Sequence, residues 1–591
     1  MIMKKWLILC VAVMMMCGVA LAAGEESSDS ALEKIDMTAW QYEEEHDVYW
    51  QVGIPYASNP ADAAYETMGF FVPGAYFTGT KNDNGTYTCE VNPSGVAAGY
   101  TALTAPLVIP VNTPGYAAMQ APTDFSSRMG YGSIEDYTSA GLIVLFAGAR
   151  GRDAGAPAGV TDFKAAIRYT RYNADRLPGN MDCIFSLGMS GGGAQSTLIG
   201  ATGNSPLYTP YLEEIGAVEG VSDAVMGSMC WCPITNLDVA DEAYEWNMGN
   251  TRTELTQEEQ ALSDGMAAAF AQYINSLGLT DENGVALTLT ASENGICQSG
   301  TYYDYILRTI EESLNHFLTD NAFPYTVASG AGGAGGAGGN RTGRVMPENG
   351  EFAAGERNPQ GNPFGETGAA PYEALDQINR TTANTAAVTL SGTYNTVQDY
   401  IDALNSAGKW VTYDSASNTV RITSVSDFTT ALKVASKGIA AFDNLNRTQG
   451  ENVLFGYQDG QGAHFDAILA ELVAGTAYEA EFAADLARTD SLGNTVDVRL
   501  NMYNPMYFLM PYYEGYRSSE VAQFWRIRSG INQGDTALCT EINLALALAM
   551  EGKETDFETV WGMAHTEAER TGDSTHQFIE WVNQCMMSMD E

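Results

Sequence analysis

Positive charge is what this 591-residue chain has least of: 29 Lys and Arg stand against 73 Asp and Glu, a formal net charge of −44. So acidic a chain offers no basic patch, which excludes a nucleic-acid partner and adhesion to an anionic membrane surface. Histidine is scarce, at five residues, and cysteine numbers only nine. Cys230-Trp231-Cys232 has the wrong spacing for a zinc knuckle and no His-rich stretch follows it, so neither metal nor cofactor is expected. After the N-terminus no run is long and apolar enough to span a bilayer. Hydrophobic residues make up an ordinary 45%, so the acidity decorates a surface rather than marking disorder.

The N-terminus itself is apolar. Lys4 and Lys5 precede a hydrophobic run from Trp6 to Met16, and Ala20-Leu21-Ala22 fits a cleavage site. Residues 1–23 thus read as a secretory signal peptide, and an exported, extracellular protein is expected. Met14-Met15-Met16-Cys17-Gly18 loosely resembles a lipoprotein box; lipidation at Cys17 is the one route by which a membrane becomes a partner. Loss of the leader leaves seven cysteines: Cys89, Cys183, Cys230, Cys232, Cys297, Cys539 and Cys585. Seven is odd, so a monomer keeps at least one thiol, and buried small residues are the expected role.

The length exceeds one compact core. After a polar linker (24–38), apolar runs separated by helical stretches predict a mostly parallel sheet over 39–254. Strands are expected at 49–56, 69–73, 106–111, 141–147, 183–189 and 215–221, and a helix over 161–173 with Asp162 near its start. Residues 255–490 look like an inserted lid, broken by the low-complexity stretch 329–340. The core pattern resumes over 491–591, with strands at 524–528 and 556–561 and helices at 535–550 and 575–587.

The chemistry centres on Gly188-Met189-Ser190-Gly191-Gly192, a G-x-S-x-G box with an apolar strand before it and a small-residue helix after it. That context is the nucleophile elbow of an α/β-hydrolase, in which the N–H after the serine faces the developing oxyanion. The fold class is therefore α/β-hydrolase with a large lid. A serine nucleophile needs a histidine base and an orienting carboxylate, in the chain order Ser, Asp or Glu, His. Of the five histidines, only His565 lies in the loop after the final strand; His46, His316, His464 and His576 sit in an acidic run or on helices. Asp535 is the only carboxylate in the loop after the preceding strand, where it also suits a helix N-cap. Glu541, further into that helix, is the weaker alternative. Gly191 supplies one oxyanion donor, and the turn Asn112-Thr113-Pro114-Gly115 supplies the second. Pro114 has no N–H, so Thr113 or Gly115 is the donor. Tyr503, Tyr507, Phe508, Tyr512, Tyr513 and Tyr516 either line an acyl pocket or pack a domain interface.

Three stretches carry a family resemblance: Asp182 to Ser196, Cys232-Pro233-Ile234-Thr235-Asn236-Leu237-Asp238 through Trp246, and Met502-Tyr503-Asn504-Pro505-Met506-Tyr507. They resemble bacterial tannases and feruloyl esterases over most of the two core segments. The resemblance implies a lidded α/β-hydrolase that cleaves esters of phenolic acids through an acyl-enzyme, with Ser190, Asp535 and His565 as the triad. Tannases carry two Asp, one residue apart, after the seventh strand: one for the triad, one for the galloyl ring. Here the pair is Gln533-Gly534-Asp535, with one carboxylate missing.

The expected partner is a small-molecule ester, probed against two rivals. A prolyl-oligopeptidase-like peptidase shares the triad order but would show propeller repeats, which are not visible. A non-catalytic surface binding protein on a hydrolase scaffold would have no use for the three residues in order.

Overall fold

A computed structural model describes residues 32–127, 129–290, 296, 299–327, 386–433 and 435–589. The leader (1–23), Cys17, Cys297 and the glycine-rich stretch 329–340 lie outside the described residues.

The core strands are β1 (Gln41–Glu43), β2 (Val48–Pro55), β3 (Thr67–Pro73), β4 (Leu107–Val111), β5 (Ile143–Ala147), β6 (Ile184–Met189), β7 (Gly227–Trp231), β8 (Phe524–Gly530) and β9 (Glu554–Val560). They form one nine-stranded sheet in the order β1-β2-β3-β5-β4-β6-β7-β8-β9. The pairings from β5 through β9 are all parallel, and β1, β2 and β3 join antiparallel at one edge. Strands β4, β5, β7 and β8 are buried at every position, as a sheet covered on both faces requires. Each Val, Leu or Ile taken out of water there contributes roughly 1.5–3 kcal/mol.

Helices α1 (Ala158–Tyr172), α2 (Gly191–Ala201), α3 (Ala240–Met248), α4 (Gln257–Leu277), α5 (Thr301–Asp320), α6 (Leu538–Met550) and α7 (Ser574–Ser588) organise the rest. Helix α4 shows why such segments stop and start where they do. A reciprocal Thr256–Glu259 capping box opens it, and Gly278, at φ 81°, ends it in the left-handed conformation.

Between β7 and β8 the chain leaves the sheet for about half its length and returns to pair Gly227 with Phe524. This excursion carries α4 and α5, short helices, and two small antiparallel ribbons, 325–327 with 392–394 and 411–414 with 419–422. Its buried side chains belong mostly to the same continuous hydrophobic core as the sheet. A separate small cluster is built on Met266, Ala440, Leu469, Val473 and Phe482.

Two local expectations are corrected. Residues 215–221 form no strand: Gly216 and Gly220 take φ of 65° and 67°, which breaks an extended run, and the strand begins at Gly227. Asp162 does not cap a helix, because α1 begins four residues earlier. It is fully buried and ion-paired to Arg150 at 2.7 Å. Among the described residues no helix is long and apolar enough to cross a membrane.

Candidate active site

Ser190 sits in the sharp turn between β6 and α2. Its φ of 58° and ψ of −125° are a conformation that L-residues rarely adopt, held because strand and helix over-determine it. The Ser190 N–H donates to the Trp231 carbonyl at 3.0 Å, tying the elbow to the end of β7. Tyr131 secures the other side: its hydroxyl accepts from the Met189 N–H at 2.9 Å and donates to the Val111 carbonyl at 3.1 Å.

Gly191 is a matter of space. A β-carbon there would lie 2.5 Å from the Tyr116 nitrogen and 3.0 Å from the Gly115 nitrogen. The turn following β4 is thus packed directly against the residue after the nucleophile, where an acyl-transfer enzyme needs a second donor. The turn is braced from two sides. Arg152, itself buried, donates from Nη1 to the Gly115 carbonyl at 2.8 Å. Thr113 Oγ1 donates to Gln195 Oε1 at 2.7 Å, and Gln195 in turn donates to the Tyr503 hydroxyl at 3.1 Å.

His565 follows β9. Its loop is laid over the β8 loop by two backbone bonds, Ile531 N–H to Val560 O at 3.0 Å and Asn532 N–H to Met563 O at 2.9 Å. Next to the histidine, the Thr566 carbonyl accepts from Cys232 Sγ at 3.3 Å. Since Cys232 directly follows Trp231, the His565 loop and the Ser190 elbow meet the same end of β7.

The partner of the imidazole is Gln533, not Asp535: Gln533 Oε1 lies 2.7 Å from His565 Nδ1. The Gln533 amide nitrogen donates to Ser529 Oγ at 2.6 Å and to Glu541 Oε1 at 2.8 Å, and Ser529 Oγ donates to the same Glu541 oxygen at 3.0 Å. Gln533, Ser529 and Glu541 are all buried. Asp535 stands two residues further on and is partly exposed; it caps nothing, because α6 starts at Leu538 with Ala537 before it. The Gly534 carbonyl between them accepts from Tyr244 of α3 at 2.7 Å and from Ser436 of the lid at 2.7 Å, which pins the loop.

Burial dominates the electrostatics. It raises the Glu541 carboxyl well above the usual range and lowers the nearby lid ammonium of Lys433, each partly offset by the charge of the other. Burial likewise pushes the Cys232 thiol up to about 12, so it is not a nucleophile at neutral pH.

The remaining candidates lie elsewhere. His316 faces Glu558 at 2.8 Å, His464 is fully buried against Asp443 at 2.7 Å, and His46 and His576 pair with Glu135 and Glu580. Of the aromatic cluster, only Tyr503 reaches the elbow, through Gln195. Tyr513 bonds Asp238 and Tyr273, Tyr516 bonds Glu551, and Tyr512 stands half exposed beside Tyr273. Gln533, Arg152, Tyr131 and Lys433 carry no motif that the sequence alone could flag. Only the gap in the expected Asp pair pointed toward position 533. Among the described residues, no group of His, Cys, Asp and Glu is arranged to hold a metal ion.

Comparison with known proteins bears on the fold that carries this site. The BD-FAE family model matches residues 101–263, which include the turn after β4, the elbow and β7. The structure is similar to a tannin acyl hydrolase from Lactobacillus plantarum, at 26% identity and a TM-score of 0.61 over 91% of this chain and 94% of that one. It is equally similar to a tannase from Fusobacterium nucleatum, at 26% identity and 0.61 over 91% and 95%. A further similar structure is a tannin acyl hydrolase in complex with ethyl gallate, again at 26% identity and 0.61, over 91% and 94%. No curated protein matches. Sheet order, elbow and these likenesses together make the chain an α/β-hydrolase with a large lid, one that resembles the bacterial tannases and the feruloyl-esterase-like hydrolases.

Proposed function

We propose that this chain is a serine carboxylesterase that hydrolyses small phenolic or plant-derived esters through an acyl-enzyme on Ser190. The observation that carries the reading is the strained Ser190 elbow, with Gly191 packed against the turn 113–116. Support for the substrate class comes from the tannases to which the chain is similar, one of them bound to ethyl gallate.

In this reading the Ser190 hydroxyl attacks the ester carbonyl while His565 Nε2 takes its proton. The carbonyl oxygen gains the charge and is met by the Gly191 N–H and by an N–H of the turn, from Thr113 or Gly115. The C–O bond to the alcohol then breaks, and the imidazolium returns its proton to the leaving oxygen. Water, deprotonated by the same nitrogen, releases the acid and restores Ser190. The protein works outside the cell after removal of residues 1–23.

The deciding experiment uses a panel of methyl gallate, methyl ferulate, p-nitrophenyl acetate and a dipeptide amide, with a fluorophosphonate label. The expected outcome is turnover of the aryl esters and labelling at Ser190, both lost in Ser190→Ala with the fold intact. Amide turnover exceeding ester turnover would make it a peptidase. No turnover and no labelling would make it a binding protein.

A further inference from the structure

We propose that Glu541 is a positioning residue for His565, acting through Gln533: it orients the Gln533 amide so that its carbonyl faces the imidazole and holds the ring as the Nδ1–H tautomer. The proposal rests on the ester-hydrolase reading above and names a part of the same site.

The argument is one of donors and acceptors. A side-chain amide can present either end to a neighbour, and only its surroundings decide which. With its oxygen toward His565 Nδ1, Gln533 accepts an N–H from the ring, and Nε2 keeps the lone pair needed to take a proton from Ser190. Turned over, the amide would present its NH2 to Nδ1 and force the proton onto Nε2, where the base would be blocked. A wrong tautomer of this kind costs a serine protease about 10⁴ in kcat. What prevents the turn here is Glu541. Its Oε1 lies 2.8 Å from the Gln533 nitrogen and already accepts from Ser529 at 3.0 Å, so an amide oxygen in that place would meet an acceptor. The preference rests on Oε1 acting as an acceptor, the role it fills toward Ser529. Ser529, Gln533 and Glu541 are 0–2% exposed, so bulk water does not reach either bond.

The arrangement explains how a neutral amide can stand where a triad has a carboxylate. A carboxylate selects the tautomer by charge; Gln533 selects it because a carboxylate behind it fixes its direction. The groups facing Glu541 are Ser529 from β8, Gln533 from the loop after it, Lys433 from the lid, and Cys230 and Cys232 from the end of β7. Lys433 also faces Asp535 and Cys539.

The test compares Glu541→Leu with the exchange Gln533→Glu/Glu541→Gln, following kcat, KM, the pH profile and the melting temperature. In Glu541→Leu the amide loses its direction, and kcat falls on the order of 10–100-fold with KM unchanged. In the exchange, the carboxylate stands beside Nδ1 and the amide behind it. The acid limb of kcat/KM then rises by about one pH unit, because a carboxylate favours the imidazolium. Parental kcat in a folded Glu541→Leu, or an exchange that leaves the acid limb in place, overturns the proposal. A separate readout needs no substrate. Nitrogen-15 NMR of His565 is expected to show the proton on Nδ1 in the parent and a tautomer mixture in Glu541→Leu. An Nε2 proton in the parent overturns the proposal even if ester hydrolysis holds. An Nδ1 proton in a chain that hydrolyses no ester fails the function alone.

Discussion

Arg152 Nη1 holds the Gly115 carbonyl at 2.8 Å, and that single bond connects a buried guanidinium to the turn packed against the nucleophile elbow. The Gly115 carbonyl shares its peptide plane with the Tyr116 N–H, which donates to the Thr113 carbonyl at 2.9 Å, so the arginine braces the turn that carries the Gly115 N–H.

Replacing Arg152 by Met keeps most of the stem and removes the donor. Kinetics are expected to show kcat reduced on the order of 10–100-fold, with KM little changed, because the loss falls on alignment rather than on substrate contact. Arg152→Lys should recover part of the rate, since one donor remains. A Met variant with parental kcat would release the turn from this role.

Gly191→Ala tests the same turn from the other side. The added methyl group would sit 2.5 Å from the Tyr116 nitrogen, a backbone atom with nowhere to go. The turn must move away, at about 1–3 kcal/mol of stability. The oxyanion loses an aligned donor, worth about 10²–10³ in kcat. Melting temperature and steady-state rates measured together check both halves; a stable variant with full activity would contradict the close packing.

Alkaline pH should act on a second place, where the lid meets the core. Glu242 of α3 is fully buried, neither of its oxygens meets a donor among the described residues, and it faces Asp466 of the lid. Two carboxyls in that relation bond only through a proton. Burial raises both well above the ordinary range, and their neighbours Asp241 and Asp443 add to it. A carboxyl raised in the folded state stays protonated there while the unfolded chain releases its proton above about pH 4. Stability is therefore present in full below that pH and falls as pH climbs toward the folded-state value, by about 1.4 kcal/mol per pH unit. Glu242→Gln is neutral in both states and can donate to Asp466. It should melt above the parent at pH 8, with the difference closing at pH 4. Thermal unfolding at the two pH values decides, and a gap that does not depend on pH would show that no shared proton is involved.

The elbow, the parallel strands and most helices were legible because each announces itself locally, by an apolar run, a capping pair or a glycine box. The strand expected at 215–221 was not, since Ile215, Ala217 and Val218 are buried but two positive-φ glycines turn the chain among them. The partner of His565 was legible only as a position. Spacing brings the β8 loop to the histidine but does not say which side chain of Gln533-Gly534-Asp535 turns inward. That is decided by the bonds of Ile531 and Asn532 to the β9 loop and by Glu541 on the neighbouring helix, contacts between segments that no local pattern records. A carboxylate was expected because carboxylates do this work elsewhere, and an amide looks inert until its own neighbours are seen.

The detour between β7 and β8 has a consequence for how the molecule is made. When β7 emerges from the ribosome its outer edge has no mate, and the strand that will cover it is still about half a chain away. A bare parallel edge of wholly buried residues is a template for any extended peptide in reach. Pairing so remote in sequence is also intrinsically slow. Synthesis therefore passes through a period in which the nascent polypeptide has its nucleophile strand in place and its base still unmade, and aggregation during refolding should begin at that uncovered edge.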